Sequence, residues 1–208
     1  MKARRELLVA SEGIPLLFAL SIATAAVAWL VGLKYAAVPF ALLVGLLFVF
    51  RDPIRVIPAV PLGVVSPVDG KVIDVTTGSD GPIEVEAHCI HIRVSVFGAY
   101  TARSPVEGKV MELHRMASDD ARVVHAGGLW LRTDEGVDVV LQFRGNRFGL
   151  VPRAFLQYGE RVGQGERCAW LRLTRIAEVW LPAGGRALVE KGERVRSGSS
   201  VLARLPHS

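Results

Sequence analysis

Two stretches of this 208-residue chain hold residue types that can do covalent chemistry. The first is Gly198-Ser199 in "EKGERVRSGSSVLARLPHS", residues 190–208. A serine hydroxyl that attacks the preceding carbonyl turns an amide into an ester. β-Elimination then splits the chain, and the dehydroalanine left behind hydrolyses to a pyruvoyl ketone, an electron sink for covalent catalysis. The second stretch is "SPVDGKV" (66–72), with Asp69 in an Asp-Gly turn; it recurs as "SPVEGKV" (104–110). His88 and His91 lie on an apparent strand, where a surface or half-buried histidine is the plain reading. Cys89 and Cys168 form no CxxC pair. They point to neither a disulfide framework nor a zinc site, in keeping with a reducing compartment, and no metal is expected.

A second internal echo bears on Gly198-Ser199. "GERVGQGERCAWLRL" (159–173) recurs as "GERVRSGSSVLARL" (192–205), which sets Gly198 on Gly165, Ser199 on Glu166 and Leu205 on Leu173. Gly198 is then a turn glycine and Ser199 a turn residue, with no chemistry required. Cleavage at Ser199 would also leave a fragment of residues 199–208 only.

The elements that must position these residues fall into two parts. From Ile14 to Phe50 the only charged residue is Lys34. "IPLLFALSIATAAVAWLVGL" (14–33) is long enough to span a bilayer of about 30 Å as a helix, and "AAVPFALLVGLLFVF" (36–50) makes a shorter helix of roughly 22 Å. The pattern predicts a transmembrane helical hairpin over residues 1–50, with Pro39 in the first turn of the second helix. A hairpin dipping into one leaflet is the alternative. A cleaved signal peptide fits badly, because the apolar stretch is too long and lacks a small-x-small site. Lys2, Arg4 and Arg5 precede the hairpin and Arg51 and Arg55 follow it. The positive-inside rule therefore places the remaining domain on the cytoplasmic side of the inner membrane. A net charge of +5 suits anionic headgroups. No nucleic-acid motif accompanies it, so a nucleic-acid partner is not expected.

From Arg51 onward, short β-branched runs alternate with Gly/Pro/Asp turns, as in "HIRVSVF" and "VDVVLQF". The expectation for residues 51–208 is a mainly β, barrel-sandwich-like domain, with the echoes marking pseudo-symmetric hairpins.

The chain resembles the short bacterial type of phosphatidylserine decarboxylase, a pyruvoyl-dependent lyase of phospholipid synthesis. "FVFRDPIRVIP" is similar to the family's "FFRDPxRxxP", and "VVSPVDGKV" to "VVSPADGxV". "VSVFGAYTARSPVEGKV" resembles "MSVFNVHVNRxPVxGxV", and "GERVGQGERCAWLRLTRIAEVWLPAG" resembles "GDxxxRGxRFGxIRFGSRVDVYLPxG". The terminal "GERVRSGSSVLARL" matches "GxxVxAGxTVLAxL". The five stretches occur in the family's order.

What the resemblance implies for the site is mixed. Asp69 matches the aspartate that orients the family's histidine and activates its serine, and Arg103 matches a family arginine that would bind substrate. Tyr100 stands where the general-base histidine is expected; with a pKa near 10 a tyrosine is a poor base at neutral pH. The self-cleaving Gly-Ser of "RFGS" falls on Thr174 and Arg175. Arg175 has no hydroxyl, and Thr174 follows Leu173 rather than glycine. "ASDDARVVHAGG" (117–128) echoes the family's "SEDNERN" only faintly.

The expectation is therefore a membrane-anchored family member that has lost its prosthetic group. It acts by binding membrane phospholipid, or by partnering a true decarboxylase or another membrane enzyme. No cofactor is expected, a pyruvoyl group arising only if Ser199 or another site self-cleaves. Two other readings stand beside it. One is an active decarboxylase that turns phosphatidylserine into phosphatidylethanolamine and CO₂ through a non-standard site. The other is a membrane-anchored barrel-sandwich adaptor, although no lysine sits in a carrier-type tip.

Overall fold

The computed structural model describes residues 10, 13–78, 82–83, 86–114, 126–145 and 152–206. It divides into two compact units, Met1–Ile54 and Arg55–Ser208.

In the first unit, α1 (Ile14–Leu30) packs along α2 (Leu33–Val49). Pro15 sits in the first turn of α1, where its missing N–H costs nothing. The two hydroxyls of α1 bond back to their own helix, Ser21 to the Leu17 carbonyl at 2.8 Å and Thr24 to the Leu20 carbonyl at 2.7 Å. Val31 N–H and Gly32 N–H both donate to the Val27 carbonyl, and Gly32 turns the chain at φ 115, a conformation that favours glycine. At the base of the hairpin, Ala10 N–H donates to the Phe50 carbonyl and the Phe50 ring fills the space where a Gly13 side chain would lie.

The expected transmembrane spans are not found in that form. The turn at Gly32 ends α1 early, so each helix has 17 residues, about 25 Å against a hydrocarbon core of about 30 Å. Among the described residues no helix is long and apolar enough to cross a membrane. α2 also begins at Leu33, which places Pro39 inside the helix rather than in its first turn.

The second unit is all antiparallel β. One three-stranded sheet orders β1 (Gly63–Val65), β14 (Val201–Arg204) and β12 (Arg186–Ala187). A second orders β4 (Thr101–Arg103), β10 (Arg167–Trp170) and β8 (Arg153–Ala154). The eight-stranded sheet runs β13 (Arg194–Val195), β2 (Gly70–Gly78), β3 (Ala87–Val94), β11 (Ile176–Pro182), β7 (Asp138–Arg144), β6 (Ala126–Arg132), β5 (Gly108–His114), β9 (Arg161–Val162). Inward positions of these strands supply one core, including the fully buried Val64, Val72, Ile90, Ile92, Leu131, Leu141, Leu181 and Leu202. Alternation explains why they are found inside: Ile90, Ile92 and Val94 point in while His91 and Arg93 point out.

The sequence echoes correspond to a pseudo-two-fold in the hydrogen bonds. Val65 N–H donates to the Pro105 carbonyl and Arg103 N–H to the Pro67 carbonyl, each turn tied to its counterpart. Ser66 Oγ donates to the Val68 carbonyl at 2.8 Å, and Ser104 Oγ to the Val106 carbonyl at 2.7 Å. Ser104 N–H donates to the Glu166 carbonyl, and Ser66 N–H to the Ser200 carbonyl. Glu166 is thus matched by Ser200, not by Ser199, and Leu205 matches Leu171, not Leu173: Leu171 N–H reaches the Tyr100 carbonyl as Leu205 N–H reaches that of Leu62. The second copy has one extra residue in its turn, whereas the alignment of letters alone made it one residue shorter.

Candidate functional site

Asp69 ends the turn before β2 and is the hub of the region. Its side chain is only 13% exposed. Oδ2 accepts from Arg55 Nη2 at 2.7 Å and from Ala99 N–H at 3.0 Å; Oδ1 accepts from Ser197 N–H at 2.8 Å. Its backbone carbonyl accepts Ser95 N–H. The carboxylate therefore ties together the loop after β3, the turn 196–199 and the segment entering the domain. Gly98 lets that loop approach, since a side chain there would begin 2.6 Å from Asp69 Cβ.

On the far side of the loop lies a cavity of about 430 Å³. One wall is Arg93, Val94, Ser95, Val96 and Tyr100; the other is Leu173, Thr174, Arg175 and Ile176. The Tyr100 hydroxyl donates to the Val96 carbonyl at 2.9 Å and braces the first wall. The second wall hangs on the tight turn Leu171–Thr174, closed by Thr174 N–H to the Leu171 carbonyl at 3.0 Å. Both central residues are left-handed, Arg172 at φ 44 and Leu173 at φ 67. That is the sign pattern of a type I′ turn, usually filled by Asn-Gly. Arginine and leucine hold it at a cost of about 1–2 kcal/mol each. Thr174 is buried, and its hydroxyl is held on the Leu171 carbonyl at 2.5 Å. Arg175 is anchored by its backbone, donating to the Arg144 carbonyl and accepting Val94 N–H.

The structure thus brings Tyr100, Thr174 and Arg175 to one cavity and sets Asp69 behind its loop wall. Arg103 is elsewhere: it is 4% exposed, and its guanidinium donates to the Gly165 carbonyl at 3.0 Å. Gly198 (φ 71) and Ser199 form a turn, with Ser199 N–H on the Arg196 carbonyl. This turn touches Asp69 through Ser197 N–H. His88 shares a hydrogen bond with Thr77 at 2.8 Å, and His91 with Thr76 at 3.2 Å; neither lines the cavity. Residues 117–125 of the faint "SEDNERN" echo lie outside the described residues.

Sequence reasoning missed Arg93, whose place in the alternation of "HIRVSVF" was its only signal. It also missed the Arg55–Asp69 pair, although Arg55 is the second arginine of the "RDPIR" junction. A third omission is Glu178, 3% exposed, whose Oε1 lies 3.3 Å from His91 Nδ1 and whose Oε2 lies 3.0 Å from Arg144 Nε. Cys89 joins His91 and Glu178 with ligand atoms within 4.8 Å of one another. The Arg144 guanidinium already neutralises the carboxylate, so this group is read as a buried ion-pair network. Burial, and then the Glu178 carboxylate, push the Cys89 thiol far above its usual range, with Arg144 pulling the other way.

Comparison with known proteins agrees with this frame. Residues 46–203 match the family model for phosphatidylserine decarboxylase. The chain belongs to the phosphatidylserine decarboxylase family. It is similar to a phosphatidylserine decarboxylase proenzyme of Burkholderia ambifaria, 33% identical over 95% of this chain and 96% of the relative. Another such proenzyme, from Aromatoleum aromaticum, is 35% identical over 82% and 83%. Among solved structures, the glucose permease IIA of Mycoplasma capricolum aligns with a TM-score of 0.47 at 18% identity, over 68% of this chain and 94% of that one.

Proposed function

We propose that this chain is a non-decarboxylating member of its family, attached to the membrane and working by binding phospholipid or a partner enzyme. One observation carries the reading. The cavity wall where the family's cleaving serine is expected is formed by Arg175, and the hydroxyl of the neighbouring Thr174 is buried and engaged with the Leu171 carbonyl. An alkyl guanidinium cannot attack the preceding carbonyl, so no pyruvoyl ketone forms there. Tyr100, on the opposite wall, is a poor base at neutral pH. The α1–α2 hairpin supports attachment. Its surface is apolar apart from Lys34 and Tyr35 beside the turn, with Phe18, Trp29, Leu30, Leu33 and Val38 exposed, and the Ser21 and Thr24 hydroxyls of α1 are satisfied internally. Helices of this length suit a hairpin dipping into one leaflet, with the flanking basic residues on the cytoplasmic face.

The intact mass of the purified full-length chain tests this. A single species at 22.5 kDa, with no CO₂ released from phosphatidylserine, is expected. Two fragments, the smaller blocked at its N-terminus, would sink the reading.

A second reading is favoured by the Asp69–Ser197 contact, which brings the family aspartate to the turn holding Gly198-Ser199. In that case the smaller fragment begins at residue 199 and the S199A variant stays whole.

A further inference from the structure

Five arginines of the β domain are committed. Arg55 is paired with Asp69, Arg132 with Asp138, Arg144 with Glu178 and Arg161 with Asp134, while Arg103 holds the Gly165 carbonyl. Arg93 and Arg175 are the contrast. Both are exposed, both line the 430 Å³ cavity, and neither side chain has a hydrogen-bond or ion-pair partner among the described residues. No carboxylate lines the cavity with them. Two cationic residues that line one space without a counter-ion repel each other, and an anion that bridges them relieves the repulsion. The remaining polar side chains of the walls, on Ser95, Tyr100 and Thr174, are hydroxyls.

The rim is apolar. Val96 is 67% exposed and Leu173 37%, and Phe97, next to Val96, is 73% exposed. A dianionic, phosphate-sized pole with apolar chains beside it is a phosphomonoester headgroup on a diacyl lipid. Arg175 also stands where an amine-bearing headgroup would have to place its nitrogen to react, and a fixed cation there repels an ammonium group.

Deepening the non-decarboxylating reading, on which it rests, we propose that the cavity is a receptor for phosphatidic acid-like lipids and selects against headgroups that carry an amine. Arg93 and Arg175 hold the phosphate, and Val96, Phe97 and Leu173 take the first part of the acyl chains. Guanidinium–phosphate pairing is bidentate and strong, whereas an ammonium beside Arg175 forfeits one of the two pairs.

The test is native mass spectrometry of the full-length chain in detergent doped with equal amounts of phosphatidic acid, phosphatidylserine and phosphatidylethanolamine. Phosphatidic acid is expected to be retained about tenfold over phosphatidylserine, the worth of roughly one charge-assisted hydrogen bond. R93Q/R175Q is expected to lose that preference. R186Q/R204Q removes the same charge from exposed positions of a different sheet, neither lining the cavity, and is expected to keep it. Equal retention of the lipids by the parent chain, or equal loss in both double variants, overturns the proposal. So does displacement of the lipid by equimolar glycerol 3-phosphate, which would make the ligand a free phosphomonoester. The denaturing mass of the same sample reads the earlier conclusion separately. Fragments overturn that conclusion, whereas an intact chain that prefers phosphatidylserine overturns only this one.

Discussion

Asp69 spends its carboxylate on architecture. It accepts from one guanidinium and two backbone N–H groups, none of which has a second acceptor within the same hub. D69A is expected to lower stability by about 3 kcal/mol, the cost of leaving a partly buried charge and two donors unanswered; the urea midpoint of the full chain in detergent checks this. S199A, at a half-buried turn position held through its backbone N–H, is expected to change stability by less than about 0.5 kcal/mol. The site residues allow a reverse experiment. Y100H/T174G/R175S installs the residue types that the resemblance places at these positions, and on the proposed reading it is expected to self-cleave between residues 174 and 175. An uncut chain would mean that the 171–174 turn or Asp69 is misplaced for the chemistry. Most of this was legible in the sequence, because a short motif such as "SPVDG" keeps its residues together. Arg93 was not, since nothing local distinguishes an outward strand arginine that meets a solvent-exposed surface from one that meets a cavity.

The turn Leu171–Thr174 is the element on which the cavity depends. L173G is expected to raise stability by about 0.5–1 kcal/mol, by relieving a left-handed leucine at little loss of burial. A drop instead would show that Leu173 packs more than its exposure implies. Strands β3 and β11 set the opposite condition, a covered outer face. Cys89 and Cys168 are both buried, and the Cys89 thiol is held in its unreactive, protonated form. Iodoacetamide at pH 8 is expected to add nothing to the native chain and two groups after unfolding in urea, read by mass. The outer ion pair Arg132–Asp138 responds to acid. Burial of Asp138 opposes ionisation, but the two hydrogen bonds from the Arg132 guanidinium and its charge outweigh it and hold the carboxyl below its usual value. Its contribution is present above the unfolded carboxylate pKa of about 4 and is lost as pH falls through the lower folded value. R132Q is expected to move acid unfolding to higher pH. Strand positions were readable from two-residue alternation; the burial of Glu178 was not, because it depends on His91 and Arg144 arriving from neighbouring strands.

At the scale of the whole molecule, sequence showed two parts and a mainly β second part, and the structure has both. It differed on helix length, because a run of apolar letters does not reveal where Gly32 adopts φ 115. Trp29, 88% exposed near the end of α1, makes the membrane depth measurable. In vesicles of brominated lipid, its fluorescence is expected to be quenched most by bromines placed deep in the acyl chain, with W29F abolishing most of the effect. Quenching only by shallow bromines would mean that the hairpin lies along the surface. The reciprocal backbone bonds of the β domain have a different consequence. Val65 to Pro105 and Arg103 to Pro67, like their repeated neighbours, are made by peptide groups and are indifferent to side-chain identity. The scaffold is therefore a frame whose fittings can be exchanged: a serine, a histidine and a glycine can leave the cavity wall without any ladder bond being given up. In such a frame the residues of the wall can change while the shape persists, so the outline of the domain does not by itself report which chemistry its cavity does.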